Sequence, residues 1–296
     1  MSRSQVPDYL AIGHIAIDVR PDGSLALGGA ALYSALLAAR FGLHAAILTR
    51  GRFSGHSDAI DSALSALAGE IDIIVQDAPE ATSFTNVTRA GRRQQTLNSW
   101  AGEIDLNGAP GPWRASRIIH LAPIAQEIDA RRAGRLSPQY FGVTPQGWMR
   151  RWEGERSGRV SLIPLRVPYE FLGRIDGLVL SSEEHTLARD EIELVGVRSL
   201  VAITRAAAGA YLVDRGHAMT LPAYTVPVID DTGAGDVYAA TLFTLRAEQV
   251  PTITAARSAA AASALLIQAG GPEHVPGRAD VEAFLARQVG RPGIRR

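Results

Sequence analysis

The chain has 296 residues, of which 46% are hydrophobic and 20% charged, and its 30 basic and 30 acidic side chains balance. This composition indicates an ordinary globular protein, and the absence of a basic excess argues against a nucleic-acid partner. The sequence contains no cysteine and no lysine, which excludes disulfides, cysteine metal sites, Schiff-base chemistry and a P-loop lysine.

Strands and helices alternate along the chain. In chain order, the hydrophobic pattern predicts strands at 9–17, 43–48, 71–75, 117–121, 140–143, 177–180 and 200–204, and helices at 30–41, 57–68, 234–248, 252–268 and 279–287. Hairpins are predicted at 82–97 and 209–221. This alternation predicts a single α/β domain over residues 1–296, with a mainly parallel sheet covered on both faces. Segments 14–27 and 82–97 are predicted to form a small β lid, although they would also fit plain surface hairpins.

The N-terminus and the apolar segments bear on location. Residues 1–8 are polar and lack the apolar core of a signal peptide. The longest uncharged stretches, 25–39 and 258–271, contain glycine and are shorter than the ~20 residues that a membrane helix needs. We therefore expect a cytoplasmic protein that has no membrane partner.

Segment 229–236, with the sequence IDDTGAGD, carries the sharpest chemical signal and directly precedes a predicted helix. Its small residues let a ligand approach the backbone, and the N–H groups and dipole at a helix start favour an anion. Asp236 lies in the first helical turn, where it is suited to accept a proton from an attacking hydroxyl. Two alternatives stay open at this point. Asp236 could simply stabilise a helix start, or Gly233 and Gly235 could belong to a dinucleotide loop that lacks its third glycine.

The same segment closely resembles the C-terminal signature of the ribokinase-like (PfkB) carbohydrate kinase family. Other segments follow in the order of that family: 13–18 with 28–29 resemble its substrate motif, 181–184 (SSEE) its magnesium-linked Asn-x-x-Glu element, and 204–209 (TRAAAG) its Thr-x-Gly-x-x-Gly turn. Ser181 replaces the asparagine, and Arg205-Ala206 depart from the turn pattern. Segments 13–31, 181–184 and 146–150 (QGWMR) are most similar to the myo-inositol kinase branch. The resemblance implies a three-layer α/β/α fold with a β lid.

The resemblance also implies roles for individual residues. It makes Asp236 the catalytic base and 233–235 an anion hole of Gly233, Ala234 and Gly235. The implied substrate-binding residues are Asp18, Gly28 and Gly29. Further substrate candidates come from position: Asn86 and Arg89 on the predicted hairpin, and Glu127 after the strand that ends at Leu121. Arg150 is added because a chain without lysine needs arginine to neutralise the transferred charge. The implied nucleotide-binding residues are Thr204, Arg205, Gly209 and Thr232. Glu184 would hold Mg²⁺ through water, and the carbonyls of Asp230 and Thr232 match a monovalent-cation site that K⁺ would suit.

Each role has a structural alternative. Asp18 could be a turn residue, Asn86 and Arg89 exposed strand residues, and Glu184 a helix-start acid with Ser181 or Ser182 as the N-cap. The function that we expect is ATP- and Mg²⁺-dependent phosphorylation of a small sugar or polyol, with a homodimer left open. A nucleoside kinase on the same fold and a non-catalytic sugar or nucleotide sensor are the alternatives.

Overall fold

The structure is a computed structural model that describes residues 5–89 and 92–288. The side chains of residues 88, 89, 92 and 93 lie outside that description, as do the turn residues Ala90 and Gly91 of the predicted hairpin. None of the helices in these ranges combines the length and the apolar character needed to cross a bilayer.

A nine-stranded sheet forms the centre of the described fold, in the spatial order β15-β14-β13-β12-β9-β8-β1-β4-β5. Its seven strands from β13 to β5 pair in parallel, while β14 and β15 add an antiparallel edge. The strands are β1 (Tyr9–Ile12), β4 (Ala45–Arg50), β5 (Asp72–Gln76), β8 (Ile118–Leu121), β9 (Tyr140–Val143), β12 (Gly177–Ser181), β13 (Leu200–Thr204), β14 (Ala210–Asp214) and β15 (His217–Leu221).

Helices cover both faces of this sheet, which confirms the three-layer α/β/α fold. Alternate residues of β1 show this, because Tyr9 and Ala11 belong to one buried cluster while Leu10 and Ile12 belong to the other. The helices are α1 (Ala30–Arg40), α2 (Asp58–Leu67), α3 (Tyr169–Leu172), α4 (Ser182–His185), α5 (Arg189–Gly196), α6 (Ala234–Ala247), α7 (Thr252–Leu266) and α8 (Arg278–Gln288). Short 3₁₀ turns lie at Leu106–Gly108, Gly111–Ala115, Ala133–Arg135, Gln146–Met149, Ala206–Ala208 and Pro272–His274.

A second sheet forms the lid, with six strands in the order β10-β11-β7-β6-β2-β3. The two predicted lid segments supply four of these strands, and segment 150–162, which the sequence analysis missed, supplies the other two. The lid is therefore larger than expected. Its strands are β2 (Ala16–Val19), β3 (Leu25–Gly28), β6 (Thr82–Arg89), β7 (Arg92–Ser99), β10 (Arg150–Trp152) and β11 (Gly158–Leu162).

The predicted single strand over residues 9–17 is wrong, because the chain leaves one sheet and enters the other within it. Strand β1 ends at Ile12 and β2 begins at Ala16 in the lid. Gly13 makes this passage possible, since a Cβ there would lie 2.3 Å from the Ala122 carbonyl oxygen. The crossing places the lid beside the carboxyl ends of the parallel strands, where ligands bind in open α/β sheets.

Candidate active site

The glycine turn before α6 depends on a close contact with α1. Gly233 is the N-cap of α6 and has a φ of 81°, in the left-handed region that favours glycine. A Cβ at this position would lie 2.5 Å from the ring of Tyr33. Glycine is therefore required here both by the backbone conformation and by the packing of the phenol ring.

The N–H groups of the turn differ in availability. The Ala234 N–H donates to the Asp231 carbonyl at 3.2 Å, whereas those of Gly233 and Gly235 have no backbone acceptor within the described residues. A Cβ added at Gly235 would meet no atom within 4 Å. Of the three amides expected to form an anion hole, the Ala234 N–H is already bonded to the backbone, which leaves those of Gly233 and Gly235. The space above Gly235 is open.

Asp236 is the third residue of α6 and is half-buried, so its side chain lies outside the packed core. It follows Gly235 directly, and that glycine is exposed. A carboxylate at the rim of an open helix start can reach a bound ligand while its backbone is held by the helix. This placement is what the general-base hypothesis requires.

Three of the predicted substrate residues come together on the lid. The Asp18 carboxylate lies against Gly28, where a Cβ would be 2.2 Å from Oδ2. The Asn86 side-chain amide donates to Asp18 Oδ1 at 3.4 Å, and Gln95 donates to Asn86 Oδ1 at 2.9 Å. Side chains of β7, β6 and β2 therefore form one polar row that ends at Asp18. Arg89, predicted beside them, lies in β6, but its side chain falls outside the described part of the structure.

Gly29 joins the lid to α1 as the N-cap of that helix. Its φ is 100°, and a Cβ there would lie 2.5 Å from the His14 carbonyl oxygen. The pair Gly28-Gly29 therefore lets the start of α1 lie close to the Asp18 side chain and to the backbone of residues 14–16.

Arg150 links the lid to the main domain. Its guanidinium lies 5.6 Å from the centre of the Phe84 ring and donates to the Ile124 carbonyl at 2.9 Å. The Gln126 side chain donates in return to the Arg150 carbonyl. Gln126 itself has a φ of 57°, a left-handed conformation that is rare outside glycine. Arg150 thus contacts the same lid strand as Asn86.

Glu127 does not lie where a substrate would reach it. The residue is 0% exposed, and its oxygens accept from the backbone N–H groups of His14, Ile124 and Ala125 at 2.6–3.0 Å. The expectation of direct substrate contact is therefore corrected: Glu127 ties the loop after β8 to the end of β1. Its carboxylate is suited to this because an anion is stabilised by several converging N–H donors.

On the predicted nucleotide side, residues 204–209 form a tight turn after β13. The Arg205 N–H donates to the Gly209 carbonyl at 2.7 Å, and Arg205 Nε is buried without an acceptor in the described ranges. Ala206 has a φ of 45°, so alanine occupies a left-handed position that the family pattern gives to glycine. Thr204 pairs with Ser181 across the two neighbouring strands.

Ser181 and Glu184 form a capping box at the start of α4. The Ser181 hydroxyl accepts from the Glu184 N–H at 3.3 Å, and Glu184 Oε2 accepts from the Ser181 N–H at 2.7 Å. Glu184 is only 6% exposed. The structural alternative for Glu184 is thus realised, with Ser181 rather than Ser182 as the N-cap.

The segment just before the glycine turn is held on both sides. Asp230 Oδ1 accepts from the Thr232 N–H at 2.9 Å, and the Asp230 N–H donates to the Ile267 carbonyl at 3.3 Å. A Cβ on Gly270 would lie 2.5 Å from Asp230 Cβ. The carbonyls of Asp230 and Thr232 therefore belong to a packed loop, as a cation site would need.

Tyr33 is a site residue that the sequence analysis missed. Burial raises the pKa of its hydroxyl above the ordinary value, and the charges of Asp18, Asp230 and Asp236 raise it further. The phenol therefore lies within electrostatic reach of the lid carboxylate and of the glycine turn. Its only sequence signal was an aromatic residue in a helix of alanines and leucines.

Comparisons with known proteins agree with this geometry. Residues 173–276 match the model of the pfkB family carbohydrate kinases. A pyrophosphate-dependent kinase in the ribokinase family, complexed with a pyrophosphate analog and myo-inositol, is 20% identical with a TM-score of 0.74, covering 93% of this chain and 99% of that one. Arabidopsis thaliana ribokinase complexed with ribose and ATP is 18% identical with a TM-score of 0.71, at 95% and 99% coverage. Ribokinase from Thermotoga maritima is 18% identical with a TM-score of 0.69, at 94% and 99% coverage.

The fold over nearly the whole chain is therefore that of the ribokinase-family kinases. Within it, residues 173–276 match the pfkB carbohydrate kinase model, and they include both the turn at 204–209 and the glycine turn. The family resemblance expected from the sequence is confirmed.

Proposed function

We propose that this protein transfers the terminal phosphoryl group of ATP to a hydroxyl of a small sugar or polyol. The observation that carries the proposal is the half-buried Asp236 beside the Gly233 and Gly235 amides, with open space at Gly235. An anion hole and a base side by side are the two groups that phosphoryl transfer to an alcohol requires.

In this mechanism the substrate lies between the lid and the glycine turn. Asp18 accepts hydrogen bonds from substrate hydroxyls, and Asn86 with Arg150 supports it from the same sheet. The reacting hydroxyl gives its proton to Asp236 as its oxygen bonds to phosphorus. The bond from phosphorus to the leaving phosphate oxygen breaks, and the Gly233 and Gly235 amides stabilise the charge on the transferred group.

For the substrate, myo-inositol is our first choice. Segments 13–31, 146–150 and 181–184 resemble the myo-inositol kinase branch, and two of the similar structures are described with myo-inositol or as a myo-inositol kinase. The polar row that ends at Asp18 suits a polyol, because one carboxylate can accept from two adjacent hydroxyls. A nucleoside is less well supported, since the lid ring of Phe84 is already covered by Arg150.

For the donor, pyrophosphate is the second candidate after ATP. Similar structures are named as pyrophosphate-dependent kinases. The turn at 204–209 departs from the family pattern at Ala206, and Arg205 brings a guanidinium whose buried Nε lacks an acceptor among the described residues. A guanidinium binds phosphate oxygens whether or not a nucleoside is attached.

Magnesium fits this site only as an ion shared with water and phosphate. Within the described ranges no three acidic, histidine or cysteine side chains converge as a metal site would need. Mg²⁺ keeps most of its waters and uses few carboxylates, so Glu184 would hold it through water. When bound, the ion neutralises charge on the phosphate oxygens. The carbonyls of Asp230 and Thr232 are the residues that would hold K⁺.

The test compares Asp236→Asn with Asp280→Asn. Both acids are the third residue of a helix, so both substitutions remove the same helix-dipole stabilisation, roughly 0.3–1 kcal/mol. We expect Asp236→Asn to lower kcat by roughly 10²–10⁴-fold while ATP binding remains, and Asp280→Asn to keep turnover.

The assay measures phosphoryl transfer to inositol, ribose, fructose and adenosine, with ATP and with pyrophosphate, in the presence and absence of K⁺. Equal turnover in the two asparagine variants would eliminate the general base. Tight ligand binding without transfer to any acceptor would favour the non-catalytic sensor.

A further inference from the structure

Two serines from neighbouring helices hold the first turn of α6. Ser263 of α7 donates its hydroxyl to the Ala234 carbonyl at 2.8 Å. Ser34 of α1 donates to the Asp236 carbonyl at 3.4 Å, at the long end of a hydrogen bond. The two carbonyls are two residues apart, in the turn that carries the Gly235 amide and the Asp236 carboxylate. Helices α1 and α7 therefore each donate one side-chain hydrogen bond to this turn.

This use of serine is unusual inside a helix. A serine or threonine in a helix interior commonly donates to the carbonyl four residues earlier in its own helix. Thr241 of α6 does so, because its hydroxyl donates to the Val237 carbonyl at 2.8 Å. Ser34 and Ser263 instead reach across to another helix, so their hydroxyls fix one helix against its neighbours.

Ser34 is also the end of a buried polar chain. The Tyr9 hydroxyl lies 2.8 Å from His120 Nδ1. Burial raises the pKa of this hydroxyl, and a side-chain interaction with Ser34 lowers it. His120 Nε2 lies 3.0 Å from the Thr144 hydroxyl. Tyr9, Ser34 and His120 are all 0% exposed, so polar groups of β1, β8 and α1 lie close together away from water.

Burial lowers the pKa of His120 to about 3, so the ring is neutral. One ring nitrogen of a neutral histidine donates and the other accepts, so His120 bonds to the Tyr9 and Thr144 hydroxyls with opposite roles.

We propose that Ser34 and Ser263 are positioning residues, which hold the Asp236 backbone and the Gly235 amide in the orientation needed for phosphoryl transfer. The inference rests on the proposed function. It adds two residues that hold the proposed base, Asp236, and the Gly235 amide in a fixed position relative to each other. Rigid support matters here because a small displacement of a catalytic group has a large effect on rate. The supporting groups are neutral, so they add no charge beside the transferred phosphoryl group.

The experiment compares Ser34→Ala, Ser263→Ala and the control Thr241→Val, which also removes a hydroxyl bonded to an α6 carbonyl. We expect kcat to fall roughly tenfold in Ser263→Ala and roughly threefold in Ser34→Ala, following the two bond lengths, with KM almost unchanged. Thr241→Val should stay within about twofold of the wild type. Ser263→Thr keeps the hydroxyl and should restore kcat.

Hydrogen exchange tests the same inference without turnover. Amide exchange measured by mass spectrometry over 233–241 should be several-fold faster in both alanine variants than in Thr241→Val. If exchange and kcat in the two variants match the control, the serines do not position the turn and the inference is overturned. If the wild-type protein phosphorylates none of the acceptors, the proposed function fails. The exchange result then still decides whether the serines hold the turn.

Discussion

Alanine at Gly233 and alanine at Gly235 should change the stability of the protein in opposite directions. At Gly233 the left-handed backbone costs an alanine roughly 1–2 kcal/mol. The new Cβ would also lie 2.5 Å from the Tyr33 ring, which adds roughly 1–3 kcal/mol of overpacking. We therefore expect Gly233→Ala to lower the free energy of unfolding by roughly 2–5 kcal/mol.

At Gly235 the same substitution meets no atom within 4 Å, and the residue is already helical. Alanine in a helix is favoured over glycine by roughly 0.5–1 kcal/mol, so Gly235→Ala should be as stable as the wild type or more stable. Its methyl group nevertheless enters the space where the phosphoryl group is proposed to lie. We expect kcat/KM to fall by roughly 10- to 100-fold in both variants.

Gly42→Ala is a control that measures the cost of a left-handed backbone alone, without the Tyr33 ring contact that Gly233→Ala also introduces. Gly42 has a φ of 89° and nothing within 4 Å of an added Cβ, so the substitution should cost roughly 1–2 kcal/mol and leave the kinetics unchanged. Urea-induced unfolding measures the three stabilities, and initial rates give kcat/KM. Full activity of Gly235→Ala would refute the placement of the phosphoryl group, and a stable Gly233→Ala would refute the role of Tyr33 packing.

Three further changes test other parts of the structure. Ala206→Gly should raise the free energy of unfolding by roughly 1 kcal/mol in urea titrations, because glycine relieves the left-handed φ of 45°; a loss of stability would contradict this. Glu127→Gln should lower the free energy of unfolding by roughly 1–3 kcal/mol, because the new NH₂ would face backbone N–H donors. No change in stability would mean that the three amide contacts contribute nothing. The third change is in pH. The pKa of His120 is lowered from 6.5 to about 3, so only the unfolded chain takes up this proton between those values. Stability should therefore fall by roughly 1.4 kcal/mol from pH 7.5 to 5.5, and His120→Asn should lose that part of the pH dependence.

The sequence predicted the layers of this fold well because its strands are continuous apolar runs. Strand β13 was predicted as observed, and helix α2 was predicted within one residue at each end; its first predicted residue, Ser57, is the N-cap in the structure. The errors lie where the chain changes sheets. Only Gly13-His14 interrupts the apolar residues between β1 and β2, and Ile15, Ala16 and Ile17 are as deeply buried as β1. Strands β10 and β11 were missed because they are short and rich in exposed polar residues.

The candidate site was predictable only where a local sequence pattern marks it. Gly233 and Gly235 are visible in the sequence as two glycines at the start of a predicted helix, and Asp236 is identified because it directly follows Gly235. The contacts of Glu127 depend on amides that are distant in sequence, such as that of His14, so its burial could not be read from its neighbours. Tyr33 was missed for the same reason, because its importance comes from a contact 200 residues away along the chain.

The acidic side chains at the candidate site affect how the proposed phosphate donor would bind. Burial raises the pKa of the Tyr33 hydroxyl, and the charges of Asp18, Asp230, Asp236 and Glu273 raise it further. A phosphate donor brought beside them meets repulsion that two amide donors offset only in part. The chain has no lysine, and the described residues form no three-ligand metal site. In the proposed mechanism, a cation held by the phosphate oxygens of the donor and arginines such as Arg205 offset the remaining negative charge. The donor is therefore proposed to bind together with its cation.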